Sequence, residues 1–93
     1  MRGELIKILS LIEEKANELK LDGYEPDVVL FGFEAYEFLK NQVNKEFGGE
    51  EEVLELSGMK VRLLDELGKD AVVVDSKALG LGLGGAKRFK VLE

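Results

Sequence analysis

Four short stretches of this 93-residue chain have residue types and spacings that chemistry could use. Gly80-Leu81-Gly82-Leu83-Gly84-Gly85 spells G-x-G-x-x-G shortly after the apolar run Ala71–Val74. In a dinucleotide site such glycines let the backbone close on a pyrophosphate at a helix N-terminus, and an acidic residue about 20 positions later takes the ribose. Eight residues follow Gly85, and the required helix, strand and acidic group do not fit in them. Gly85-Ala86-Lys87-Arg88 also lacks the G-K-[ST] order of a phosphate loop. The alternation Leu79, Leu81, Leu83 instead suits an extended or closely approached segment. Ser76 stands between Asp75 and Lys77, and a Ser–Lys pair can act without histidine. Side chains adjacent in sequence rarely face each other, so Ser76 reads as a turn or cap residue. Glu50-Glu51-Glu52 offers oxygens to a hard cation, but three consecutive residues point in different directions and a solvated acidic turn is expected. Asp65-Glu66 and Asp70 read as loop carboxylates. Lys87-Arg88-Phe89-Lys90 pairs a basic patch with an aromatic residue, the minimal footprint of nucleic-acid binding.

Composition narrows these possibilities. The chain has no Cys, His or Trp, which excludes disulfide scaffolds, zinc fingers, thiol enzymes and histidine-dependent triads. Its net charge is −6, unevenly placed: residues 1–56 carry 6 basic and 14 acidic side chains, net −8, and residues 57–93 carry 7 and 5, net +2. On that acidic background Lys87–Lys90 is expected to be a solvated strand face, and nucleic acid is not an expected partner. No catalytic, cofactor-binding or metal-ligating residue is assigned, no cofactor is called for, and no small-molecule substrate is expected. Glu (14) and Lys (10) are abundant and Asn (3), Gln (1) and Cys (none) are scarce, the pattern of a thermophile. The longest uncharged run, Ala78–Ala86, is far short of the roughly 20 residues of a membrane span, and no membrane partner is expected. An intracellular, cytoplasmic protein is the expectation.

The elements that would position these residues can be read from periodicity. Leu5, Ile8, Leu9, Ile12, Ala16 and Leu19 recur at helical spacing, predicting a helix over Leu5–Lys20 that stops at Asp22-Gly23. A second helix is predicted from Glu34 to Phe47, with Tyr36, Leu39, Val43 and Phe47 inward and Gly48-Gly49 at its end. Asp27–Phe31 after Pro26 reads as a buried strand. Val53–Leu56 and Met59–Leu64 flank Ser57-Gly58 as a hairpin, with Met59, Val61 and Leu63 on its core face. Ala71–Val74 is a fourth strand and Arg88–Leu92 a fifth. The expected fold class is α+β: one small domain over residues 1–93, a twisted sheet of four to five strands with two helices packed on it.

Several of these stretches, taken in order, carry a family resemblance. Pro26-Asp27-Val28-Val29-Leu30, then Ala35-Tyr36-Glu37-Phe38-Leu39, resembles a strand-then-helix signature in the axial domain of tailed-phage major capsid proteins and the related encapsulin shells. Leu56-Ser57-Gly58-Met59-Lys60-Val61, Asp65-Glu66-Leu67 and Asp70-Ala71-Val72-Val73-Val74-Asp75-Ser76 resemble the later part of that domain, a hairpin and an apolar strand ending in Asp-Ser. The match spans residues 26–92, with residues 4–22 an additional N-terminal helix. Capsid proteins of that kind also carry a peripheral domain, an N-terminal arm and an extended loop, and none of these has a counterpart here. The axial domain is a packing element, so the resemblance implies no catalytic or cofactor residue.

The expected function is therefore that of a structural or assembly protein. It would pack against itself as a weak homo-oligomer, or against another structural protein, in the cytoplasm or in a virus-like particle. The alternative is an adaptor that binds a protein partner through Leu5–Lys20 or Leu79–Leu83. An enzyme or nucleotide binder using Gly80–Gly85 ranks last.

Overall fold

The computed structural model describes residues 2–78 and 84–93. Leu79–Leu83, and with it most of the Gly80–Gly85 run, lies outside the described residues. Helix α1 (Arg2–Leu21) is followed by strand β1 (Val28–Phe31), helix α2 (Phe33–Phe47), and the hairpin β2 (Glu55–Leu56) and β3 (Met59–Leu63). A 3₁₀ turn at Asp65–Leu67, strand β4 (Asp70–Val74) and strand β5 (Ala86–Lys90) complete the chain. The strands form one mixed sheet in the order β2-β3-β1-β4-β5. Only β1 and β3 run parallel, because α2 carries the chain back across the sheet between them. The α+β class read from the sequence is the observed one.

Register explains which residues enter the core. Val61, Val29 and Val73 stand directly opposite one another on β3, β1 and β4, so they share a face. Phe31, Ala71 and Phe89 form the next row on that face. All six are buried in one cluster with Leu5, Ile8, Ile12, Ala16 and Leu19 of α1 and Ala35, Tyr36 and Leu39 of α2. Both helices thus lie on the same side of the sheet. Most of the apolar face of α1 is spent inside the chain's own core, while Leu9 and Leu11 are only partly buried at its margin and Ile6 stays exposed. The other sheet face carries Val28, Leu30 and Val72, half-buried, between Lys60 and Arg62 on β3 and Arg88 and Lys90 on β5. At the hairpin turn Ser57 and Gly58 both adopt positive φ (51° and 77°). That is the left-handed pair whose twist matches two short strands.

Three expectations need correction. Phe47 does not point inward: it is 77% exposed, because no described element closes over the last turn of α2. Leu63 lies on the core face by register, opposite Phe31, yet it is 51% exposed. The two-residue β2 pairs only with Met59 and Lys60, and beyond it Glu52, Val53 and Leu54 leave Leu63 at the rim of a shallow groove instead of covering it. The fifth strand spans Ala86–Lys90, two residues earlier than Arg88–Leu92. Pairing of Ala86 with Val74 sets this start, while the Val91 and Leu92 amides leave the ladder to donate to the Lys69 carbonyl.

Candidate functional site

Residues singled out for chemistry are brought together at the end of β4. Asp75 is buried and accepts hydrogen bonds from the Glu25 amide (2.8 Å) and the Lys77 amide (3.0 Å). Asp27 accepts from the Ser76 amide (2.8 Å) and the Ser76 hydroxyl (2.6 Å). Pro26-Asp27 and Asp75-Ser76, 49 positions apart, therefore clasp each other across the ends of β1 and β4. Burial on its own raises the Asp27 carboxyl, but the Ser76 hydroxyl and amide, with Lys77 nearby, outweigh it and leave Asp27 below its ordinary value. A carboxylate held low is a poor base for the serine it binds. Ser76 is a fastener of the turn, as its position predicts, and Lys77 contributes its backbone amide to the same turn.

The clasp has a measurable stability. Asp75→Ala leaves two backbone amides without acceptors and is expected to cost about 2 kcal/mol in a urea titration. Asp27 is expected to shape the acid limb of stability. Above the ordinary value of 3.8 it is ionised in both folded and unfolded chains, but only the folded chain offers Ser76. Its contribution is thus fully present above that value and is lost as pH falls through the lowered folded value. Asp27→Asn should flatten this part of the decline in melting temperature between about pH 5 and pH 2, and identical slopes for the two proteins would contradict it.

The acidic run Glu50–Glu52 is only partly a solvated turn. Glu52 accepts hydrogen bonds from Lys40 (2.6 Å) and from the Tyr36 hydroxyl (3.0 Å), and that hydroxyl accepts from the Val53 amide (3.0 Å). The Lys40 hydrogen bond, then that of Tyr36, holds the Glu52 carboxyl below its usual range, and the same bond raises Lys40. Burial raises the Tyr36 phenol, a shift opposed by the Val53 amide and reinforced by Glu52. Through these bonds α2 fixes the course of Val53-Leu54. Val53 turns into the core while Leu54 stays 69% exposed.

Leu54 joins two shallow grooves along the β2 side of the molecule. One, of about 530 Å³, is lined by Leu5, Leu9, Val43 and Phe47 as well as Leu54. The other continues past Leu54 to Arg62 and Leu63. Exposed Phe47, Leu54 and Leu63 thus mark an apolar seam, with Glu51, Glu55 and Arg62 exposed beside it. Isolated exposed leucines need no explanation, but a contiguous apolar strip points to a contact surface. Sequence reasoning missed this seam. A signal was present: Val53-Leu54 and Leu63-Leu64 are adjacent apolar pairs, and in a strand of period two one member of each pair must face outward.

The Lys87–Lys90 patch is taken apart by the fold. Phe89 is buried in the core, Lys87 meets Asp22 at 3.7 Å and Arg88 meets Asp70 at 2.7 Å. Arg88 stays exposed although paired, and Lys69, Lys90, Glu93 and the 87%-exposed Leu21 next to Asp22 are exposed on the same side. Asp65-Glu66 lies in the 3₁₀ turn, exposed. Among the described residues no three carboxylates gather as a cation site, and no helix is long and apolar enough to cross a membrane.

Residues 2–93 match the protein family described as "Putative type 4B encapsulin shell protein". The chain is also 33% identical over 85 residues to a Pyrococcus furiosus protein of the same description, covering 91% of this chain and 72% of that relative. The relative comes from a thermophile, in keeping with the Glu- and Lys-rich composition. Of the two groups in the resemblance, tailed-phage capsids and encapsulin shells, it is the encapsulin side to which these similarities point.

Proposed function

The chain belongs to the type 4B encapsulin shell protein family, and from that premise we propose that it is a packing subunit of a protein shell. It acts as one domain over residues 1–93, on the axial-domain plan of capsid proteins. It works by contact with copies of itself or with another structural protein, without catalysis, in the cytoplasm. The observation that supports this reading is the apolar seam Phe47–Leu54–Leu63 on an otherwise strongly charged chain. Burying exposed apolar side chains of this size against a neighbour removes surface from water at roughly 25 cal/mol per Å², the main favourable term in association.

A contact of this extent is small, so association is expected to be weak and dependent on concentration. Charged residues border the seam, and their attraction is screened beyond about 8 Å at physiological salt. Sedimentation velocity over a wide concentration range is expected to show self-association that weakens as salt rises. A monomer at every concentration and salt would remove the self-packing reading.

A further inference from the structure

Residues 48–54 connect α2 to β2, and the two ends of this connection are held differently. The Gly48 amide closes α2 on the Asn44 carbonyl, and Gly48 and Gly49 both adopt positive φ (81° and 87°). A side chain at either glycine would meet open space, so no neighbour fixes their direction. Such a pair absorbs a change of backbone course at little cost. At the far end the chain is gripped. Lys40 and the Tyr36 hydroxyl donate to Glu52, and that hydroxyl accepts from the Val53 amide. Because the hydroxyl donates to a carboxylate, its oxygen is a stronger acceptor for Val53. The Leu54 carbonyl then accepts from the Val61 amide (2.9 Å) as β2 begins. A glycine hinge thus leads into a segment pinned by one carboxylate, and that carboxylate is 60% exposed, within reach of solvent protons.

Resting on the contact-surface reading above, we propose that this segment is an acid-released latch on the apolar seam. With Glu52 seated on Lys40 and Tyr36, Val53 lies in the core and Leu54 stands in the seam between Phe47 and Leu63. Once Glu52 takes up a proton, its charge-assisted bond from Lys40 is lost. The segment then turns on Gly48-Gly49 and carries Leu54 out of the seam. Other charges surround the pin. Glu37 of α2 favours the charged form of Lys40, and Lys45 and Glu50 line one groove with Lys40. Glu51 and Glu55 line the groove on the seam side of Glu52. Arg62 lines the groove on its other side, with its guanidinium on the Val61 carbonyl. Lys40 and Tyr36 are the two that bond Glu52, and Lys40 first, then Tyr36, hold it below the ordinary 4.5. The latch is therefore closed above that value and opens as pH falls through the lowered one.

Hydrogen exchange at the Val53 amide, followed by NMR, tests this. The amides of β1 and β4 serve as the reference, since they report opening of the whole sheet. In the unaltered chain the ratio of Val53 protection to theirs is expected to fall at least threefold between about pH 6 and pH 3. In Glu52→Gln the ratio is expected to be low and flat over that range, with a thermal melt showing that the chain is folded. Lys40→Met leaves Glu52 with Tyr36 alone, so the fall should move to higher pH. A flat ratio in the unaltered chain, or a Glu52→Gln profile that follows the unaltered one, overturns the latch. These readouts concern one molecule's own amides, so they stand or fall whether or not the chain self-associates. Where it does, Glu52→Gln at neutral pH is expected to associate at least threefold more weakly, and equal association would overturn the link between latch and seam.

Discussion

Val61→Lys is expected to abolish folding, whereas Arg62→Glu, one position along, should change stability by no more than about 0.5 kcal/mol. Val61 is 4% exposed and sits in the row Val61–Val29–Val73 that spans three strands beneath the helices. An ammonium there loses its water and meets valines on the neighbouring strands. The chain must either bury an unpaired charge, deprotonate the lysine or open the sheet. Unpaired buried charges cost about 3–5 kcal/mol, a large part of the roughly 5–15 kcal/mol that holds a typical domain together. Met59→Lys, on the same face of β3, should behave similarly. Arg62 points to the opposite, wet face beside Leu30, and its guanidinium reaches only the neighbouring Val61 carbonyl. Guanidinium titrations of the two variants check the register directly: equal midpoints would mean that β3 is turned over.

Gly32→Ala is expected to cost about 3 kcal/mol, the cost of forcing atoms into a packed site. The backbone angles at Gly32 (φ −67°, ψ 166°) are ordinary for alanine, so the objection is one of space. A Cβ at this position would overlap the nitrogen and carbonyl oxygen of Gly68. The two backbones are held at that approach by hydrogen bonds on either side, Gly32 amide to Asp70 carbonyl (2.9 Å) and Ala35 amide to Gly68 carbonyl (3.0 Å). The turn before β4 therefore cannot move aside without releasing the N-terminus of α2. Gly23→Ala is the useful comparison, since Gly23 has φ +92° but open space around it. It should lose roughly 1 kcal/mol through backbone strain alone. A Gly32→Ala protein as stable as Gly23→Ala would show that the 67–69 turn yields easily.

The clasp at Asp27 and Ser76 shows how far local reading reaches. Ser76 after an apolar strand is legible as a turn residue, because serine competes for backbone amides wherever a strand ends. Its partner is not legible, since nothing local to residue 76 singles out Asp27 among the chain's five aspartates. Only the antiparallel pairing of Val28 with Val74 brings them together. The basic run Lys87–Lys90 fails in the opposite direction. Its letters suggest one patch, but strand alternation sends Phe89 into the core, and Asp22 and Asp70, remote in sequence, occupy two of its cations.

Local sequence patterns are enough to set the elements and the inner face of most of them. Leu5, Ile8, Ile12, Ala16 and Leu19 recur at helical spacing, Val29 and Phe31 at strand spacing, and Ser57-Gly58 marks the turn. Such patterns express the pitch of the helix and the pleat of the strand, which neighbours along the chain already define. The absence of Cys and His also excludes the chemistry that needs them, whatever the fold. Packing between distant elements settles a different question, which apolar residues remain uncovered. Phe47 and Leu63 satisfy the inward periodicity of their elements, yet both are exposed, because α2 outruns its cover and β2 stops after two residues. Periodicity says which side of an element is apolar, but covering that side depends on the lengths and order of neighbours distant in sequence, which no local pattern encodes.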